Sequence, residues 1–231
     1  MNRRMKMCAG LIAVIFVVML VGDPFVAVFE QALLDHNPYK VIIDAGHGGV
    51  DGGATSCTGV LESQLNLEIA LRLEELMKLL GYESVMVRRT DISVYTEGET
   101  IAAKKVSDLK QRVKLVNETE NGILISIHQN KFSDSRYSGA QVFYAKDSQS
   151  KELATQLQAS FISTLNPGSK RMAKQASGIY LMDKIKNPGI LIECGFLSNL
   201  KEESMLRDPD YQKKLCSVIA ATLSSHLAAG E

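Results

Sequence analysis

Val41-Ile42-Ile43-Asp44-Ala45-Gly46-His47-Gly48-Gly49-Val50-Asp51-Gly52-Gly53-Ala54 is the stretch from which the fold is read. A β-branched run leads into a histidine set among five glycines. Such a run makes a buried strand, and glycines at its C-terminal edge let the backbone turn sharply and approach a ligand beside the imidazole. Taken alone, Gly-His-Gly is equally a glycine-rich turn with an incidental histidine. The rest of the chain decides between the two.

Two more apolar runs end in a chemically useful side chain. Ile123-Leu124-Ile125-Ser126-Ile127 runs into His128, and Ile190-Leu191-Ile192 runs into Glu193. Between the first two strands, Leu61, Leu65, Ile69, Leu73, Leu76 and Leu80 recur at helical spacing up to Gly81, which puts Glu62 at the entrance of a long amphipathic helix. Further strands are expected at Ser84–Val87, Ala140–Tyr144 and Gly178–Met182. Helices are expected through Leu109, Val113 and Val116 to Asn117, over Glu152–Leu165 before Pro167, and over Asp210–Ala228. Arg88 to Lys105 has no period and reads as a long loop or lid. Strands alternating with helices predict one α/β domain over residues 40–229, a twisted, mostly parallel sheet with helices on both faces. In such sheets ligands bind beyond the strand C-terminal edge, where His47, His128 and Glu193 all fall.

Composition narrows the function. The 231 residues hold 26 acidic and 26 basic side chains, so no overall field draws the chain to nucleic acid. Arg3, Arg4 and Lys6 precede an uncharged apolar run from Met7 to Gly22, the pattern of an export signal. That run is shorter than the ~20 residues that span a bilayer, and Pro24–Phe29 extends it, so residues 1–30 read as a cleaved signal peptide or a retained membrane anchor, with 31–39 as connector. Cys8, Cys57, Cys194 and Cys216 have no Cys-x-x-Cys spacing, which argues against a thiolate metal site. His36 in the connector and His226 near the chain end read as solvated or capping residues rather than ligands.

Two histidines and a glutamate around an open fourth position are a common catalytic zinc set. His47 and His128 supply the imidazoles; Glu62 and Glu193 compete for the third place, the other being a base for the attacking water.

Asp44–Gly49, Glu62, Ser126-Ile127-His128-Gln129-Asn130 and Leu191-Ile192-Glu193-Cys194-Gly195-Phe196-Leu197-Ser198-Asn199 resemble the four signature blocks of the zinc-dependent N-acetylmuramoyl-L-alanine amidases of the amidase-3 family. Asp108–Val113, Gly139–Tyr144 and Asn187-Pro188-Gly189 are most similar to the sporulation-associated branch that acts on spore-cortex peptidoglycan. The resemblance implies zinc held by His47, Glu62 and His128, with Glu193 as acid/base, and hydrolysis of the amide between N-acetylmuramic acid and L-alanine as a step toward muramic lactam. It further implies an extracytoplasmic site of action and allows an accessory activator protein, with the Arg88–Lys105 segment as a candidate docking surface. Val87 and Cys194 depart from the family pattern without touching a ligand, and Cys194 is expected on the core side of its strand, opposite Glu193. Arg112, Asn117 and Asn130 are candidates for positioning sugar or peptide. The rival readings are a zinc peptidase acting on a stem-peptide bond and a non-catalytic wall-binding scaffold.

Overall fold

The computed structural model describes residues 38–229; the expected export segment, its connector up to Asn37, and His36 lie outside the described residues. Six strands form one sheet in the order β2-β1-β3-β6-β4-β5. They are β1 (Lys40–Ala45), β2 (Glu83–Met86), β3 (Gly122–Asn130), β4 (Gln141–Tyr144), β5 (Lys174–Gln175) and β6 (Gly189–Phe196). β1 pairs in parallel with β2 and β3, and β3 with β6, so three apolar runs lie side by side with their C-terminal ends at one edge. β4 reverses direction against β6, and β5 pairs in parallel with β4.

The alternation of side chains assigns the layers. Val41, Ile43, Ile123, Ile125, Ile127, Ile190, Ile192 and Cys194 face α1 (Glu62–Leu79), α3 (Ser148–Thr164) and α6 (Pro209–Ala228) in the larger core. Ile42, Leu124 and Leu191 face α2 (Ile101–Glu118) and α4 (Tyr180–Lys184) in a smaller one. α5 (Leu200–Arg207) adds Leu206 to the larger core. The expected single α/β domain with helices on both faces is therefore observed, and Cys194 lies in the core, 1% exposed.

Three expected elements differ in type or start, and β5 and α5 have no counterpart among the expected elements. Gly178–Met182 is not a strand: Tyr180–Lys184 is a short helix whose Leu181 and Met182 are buried. Helix α2 begins at Ile101, inside the segment expected to be irregular, because the Thr100 hydroxyl caps Ala103 N–H at 3.1 Å. Helix α3 starts at Ser148, a turn earlier than its apolar period, where Asp147 accepts from Ser150 N–H at 2.8 Å. No helix among the described residues is long and apolar enough to cross a membrane.

Candidate metal centre

The site begins where β1 stops. Gly46 N–H still bonds the Ile127 carbonyl, and His47 then takes a left-handed conformation with φ of 61°. A β-strand offers no such geometry, and a non-glycine residue adopts it only where its surroundings hold it. Two buried arginines do so. Arg88 donates to the carbonyls of Ala45, Gly46, Ser63 and Thr90 at 2.8–3.1 Å. Arg112, from α2, donates to the Ala45 and His47 carbonyls at 3.1 and 2.8 Å and to the carboxylates of Asp44 and Asp108. Asp44 also accepts from Ser126 Oγ at 2.6 Å, so the two strand ends that carry His47 and His128 are tied through one buried carboxylate.

Three expected site residues meet here. Candidate ligand atoms of His47, Glu62 and His128 all lie within 4.8 Å of one another, and among the described residues they form the metal-competent cluster. Glu62 reaches the strand edge from the first turn of α1: its Oε2 is 3.3 Å from His47 Nε2 and accepts from Ala54 N–H, while its Oε1 is 3.1 Å from His128 Nδ1 and accepts from Gln129 N–H. Asn66, one turn on, donates to Glu62 Oε1 at 3.3 Å and to the Gly46 carbonyl at 3.1 Å. Burial alone raises the Glu62 pKa, but the two imidazoles outweigh it and hold the carboxyl well below its ordinary range. Burial likewise disfavours charge on His47, yet Glu62 and then Asp51 raise its pKa to about 9.

The packing leaves room for imidazole only because two positions are glycine. A Cβ on Gly46 would stand 2.2 Å from His128 Nε2, and one on Gly53, whose φ is 68°, would stand 2.7 Å from Glu62 Oε2. Glu193 sits opposite His128 in the β3–β6 register. Its Oε2 is buried without a hydrogen-bond partner. Burial first, and then the Glu62 charge, raise its pKa despite the opposing imidazoles. A cleft of about 320 Å³ opens beside the cluster, with Leu109, Ile179, Leu181 and Leu191 on its apolar wall.

The other candidates separate. Asn117 bridges the Lys184 carbonyl and Lys186 N–H and so braces α4, and Asn130 receives Leu197 N–H on its carbonyl at the end of β3. His226 is 8% exposed with its Nδ1 3.1 Å from Gln156 Oε1, buried rather than solvated, and is not part of the cluster. Sequence reasoning missed Arg88, which reads as the first residue of a loop, and gave no role to Asp51, whose Oδ2 lies 2.9 Å from His47 Nδ1.

Two imidazoles and a carboxylate converge at the strand ends of an α/β sheet, beside a second, partly buried carboxylate, an arrangement with the donor set of a hydrolase metal site. The chain belongs to the amidase-3 family of N-acetylmuramoyl-L-alanine amidases, whose profile matches residues 41–225. It is 40% identical over 181 residues to the germination-specific N-acetylmuramoyl-L-alanine amidase of Bacillus subtilis, covering 78% of this chain and 76% of that one. It is similar to the CwlD amidase of Clostridioides difficile, solved in complex with the GerS lipoprotein, at 37% identity and a TM-score of 0.79 over 83% of this chain and 99% of that one. An N-acetylmuramoyl-L-alanine amidase from Clostridium difficile 630 superimposes with a TM-score of 0.73 at 30% identity, over 84% and 100% of the two chains.

Proposed function

We propose that this amidase is zinc-dependent, with His47, Glu62 and His128 as ligands and Glu193 as acid/base, and that it acts on spore-cortex peptidoglycan outside the cytoplasm. The observation that carries the proposal is the convergence of three donor side chains within 4.8 Å beside a buried carboxylate oxygen without a partner. The donor set fits zinc, which takes imidazole nitrogen and carboxylate oxygen and leaves a position open in catalytic sites. When bound, zinc supplies Lewis acidity, bringing a water pKa toward neutrality and polarising a carbonyl.

The remaining chemistry belongs to the chain. Glu193 Oε2 takes a proton from the water that attacks the lactyl carbonyl, and returns it to the alanine nitrogen as the carbon–nitrogen bond breaks. A raised pKa suits both transfers, since a carboxyl nearer to neutrality is a stronger base and then gives the proton back. The apolar wall of Leu109, Ile179, Leu181 and Leu191 limits bulk water around the reacting amide. Products are a peptide-free muramic acid and a stem peptide with a free amino terminus.

The germination-specific name of the Bacillus subtilis relative and the cell wall amidase name of a Staphylococcus epidermidis one support a role in the spore and the wall, and the residues 1–30 pattern supports export with a cleaved signal or a retained tether. The complex formed by the Clostridioides difficile relative supports an accessory lipoprotein partner for this chain too. His47→Ala and His128→Ala test the metal assignment by elemental analysis. Zinc content is expected to fall sharply in both, and full occupancy in both refutes it.

A further inference from the structure

His47 and His128 do not meet Glu62 in the same way. His47 turns Nε2 toward Glu62 Oε2, whereas His128 turns Nδ1 toward Glu62 Oε1. The second nitrogen of His128 packs against Gly46, on a strand whose register fixes the ring. His47 has no strand behind it, because its residue lies in the left-handed turn after β1. Packing orients one imidazole; the other needs a partner.

Asp51 is that partner. Its Oδ2 lies 2.9 Å from His47 Nδ1. The aspartate is itself held: Oδ1 receives Lys105 Nζ at 2.8 Å and Gly53 N–H at 3.3 Å. Its backbone closes a small antiparallel bridge with Gly48, through bonds of 2.7 and 3.1 Å. An ionised carboxylate only accepts hydrogen bonds, and a neutral imidazole carries its proton on one nitrogen and a lone pair on the other. A carboxylate at Nδ1 therefore places the proton there and leaves the Nε2 lone pair facing Glu62 and His128.

We propose that Asp51 is a positioning residue for the metal centre, fixing the tautomer and ring orientation of His47 and thereby setting the affinity for zinc. The inference rests on the metal-site reading above and assigns a job to a residue outside the ligand set. Lys105 extends the arrangement to α2, so that a helix on the far side of the cleft helps to hold the aspartate that orients the ligand. Partners of this kind are worth about 10- to 100-fold in metal affinity.

The test is zinc affinity measured by chelator competition at one pH, on wild type, Asp51→Ala, Asp51→Asn and His47→Ala. Asp51→Ala is expected to bind zinc about 10- to 100-fold more weakly. Wild-type affinity in Asp51→Ala overturns the proposal; should that variant fail to fold, Asp51→Asn, which keeps the shape and loses the charge, carries the same expectation. Nitrogen-15 spectra of the zinc-loaded wild type supply a readout that general loosening does not mimic. They are expected to show the His47 proton on Nδ1, and a proton on Nε2 overturns the proposal. Failure of the wild type to bind zinc, or full affinity in His47→Ala, refutes the metal-site reading instead.

Discussion

Arg112→Met separates what the buried charges do from what the metal does. The Arg112 side chain is 3% exposed and Asp44 1%, and the guanidinium also serves Asp108 and two backbone carbonyls. Methionine fills much of the same space but leaves Asp44 with Ser126 Oγ as its remaining side-chain hydrogen-bond partner. Removing one member of a buried pair costs about 3–5 kcal/mol, because the other charge stays behind. For a domain of this size, with about 2–4 °C of melting temperature per kcal/mol, the drop should be about 6–20 °C. Denaturant unfolding with excess chelator measures it free of any contribution from bound metal. Asp44→Asn added to Arg112→Met should recover much of the loss, since the stranded group is then neutral. The pH dependence supplies a second check. Burial raises the Asp44 pKa, but Arg112, then His128 and Ser126, bring it below 3.8. In the wild type the stabilisation is present above 3.8 and is lost as pH falls through the lower native value. Without Arg112 burial dominates, so the variant gains relative stability on acidification and the two curves converge. A cost below about 1 kcal/mol, the scale of an exposed pair, refutes the reasoning.

Three further outcomes are expected. Glu193→Gln keeps the shape of the carboxyl but cannot accept a proton, so turnover should fall by about 10² to 10⁴ with zinc retained; loss of zinc instead means that Glu62 and Glu193 exchange roles. Gly46→Ala should leave the sheet intact while displacing the His128 ring, whose Nε2 would be 2.2 Å from the new Cβ, and zinc titration should show affinity about tenfold weaker or worse. A chain beginning at Pro38 should melt cooperatively and stay in solution without detergent, because the described residues already form two cores; aggregation of that chain, with the full chain folded in detergent, assigns residues 1–37 to the core.

The parts of the fold legible in the sequence are those where one residue pattern carries one constraint. Val41–Ala45, Ile123–Ile127 and Ile190–Ile192 are buried on both faces, so continuous apolar runs reveal them. Their ends place His47, His128 and Glu193 at one edge before any contact is known. Short elements stay hidden: β5 is two residues long, and α5 and α4, with eight and five residues, hold too few apolar positions to display a period. Gly178–Met182 reads as a strand because its apolar residues are equally compatible with both periods, whereas Tyr180–Lys184 is a helix. Arg88 is illegible for a different reason. A charged residue after a strand signals a loop, and its burial at 2% depends on backbone carbonyls contributed by β1 and α1. Periodicity leaves Glu62 and Glu193 as equals. In three dimensions they differ, one carboxylate lying between two imidazoles and the other partly buried with one oxygen unpartnered.

The central claim is the bond, and the metal chemistry leaves it open, because activated water attacks a peptide carbonyl as readily as a muramoyl one. Cortex-type peptidoglycan digested with the purified enzyme, alone and with the proposed lipoprotein partner added, and analysed by end-group labelling and mass spectrometry tests it directly. New amino-terminal L-alanine together with peptide-free muramic acid in the glycan is the expected result. New termini at diaminopimelate or D-alanine, with the muramoyl amides intact, would contradict it.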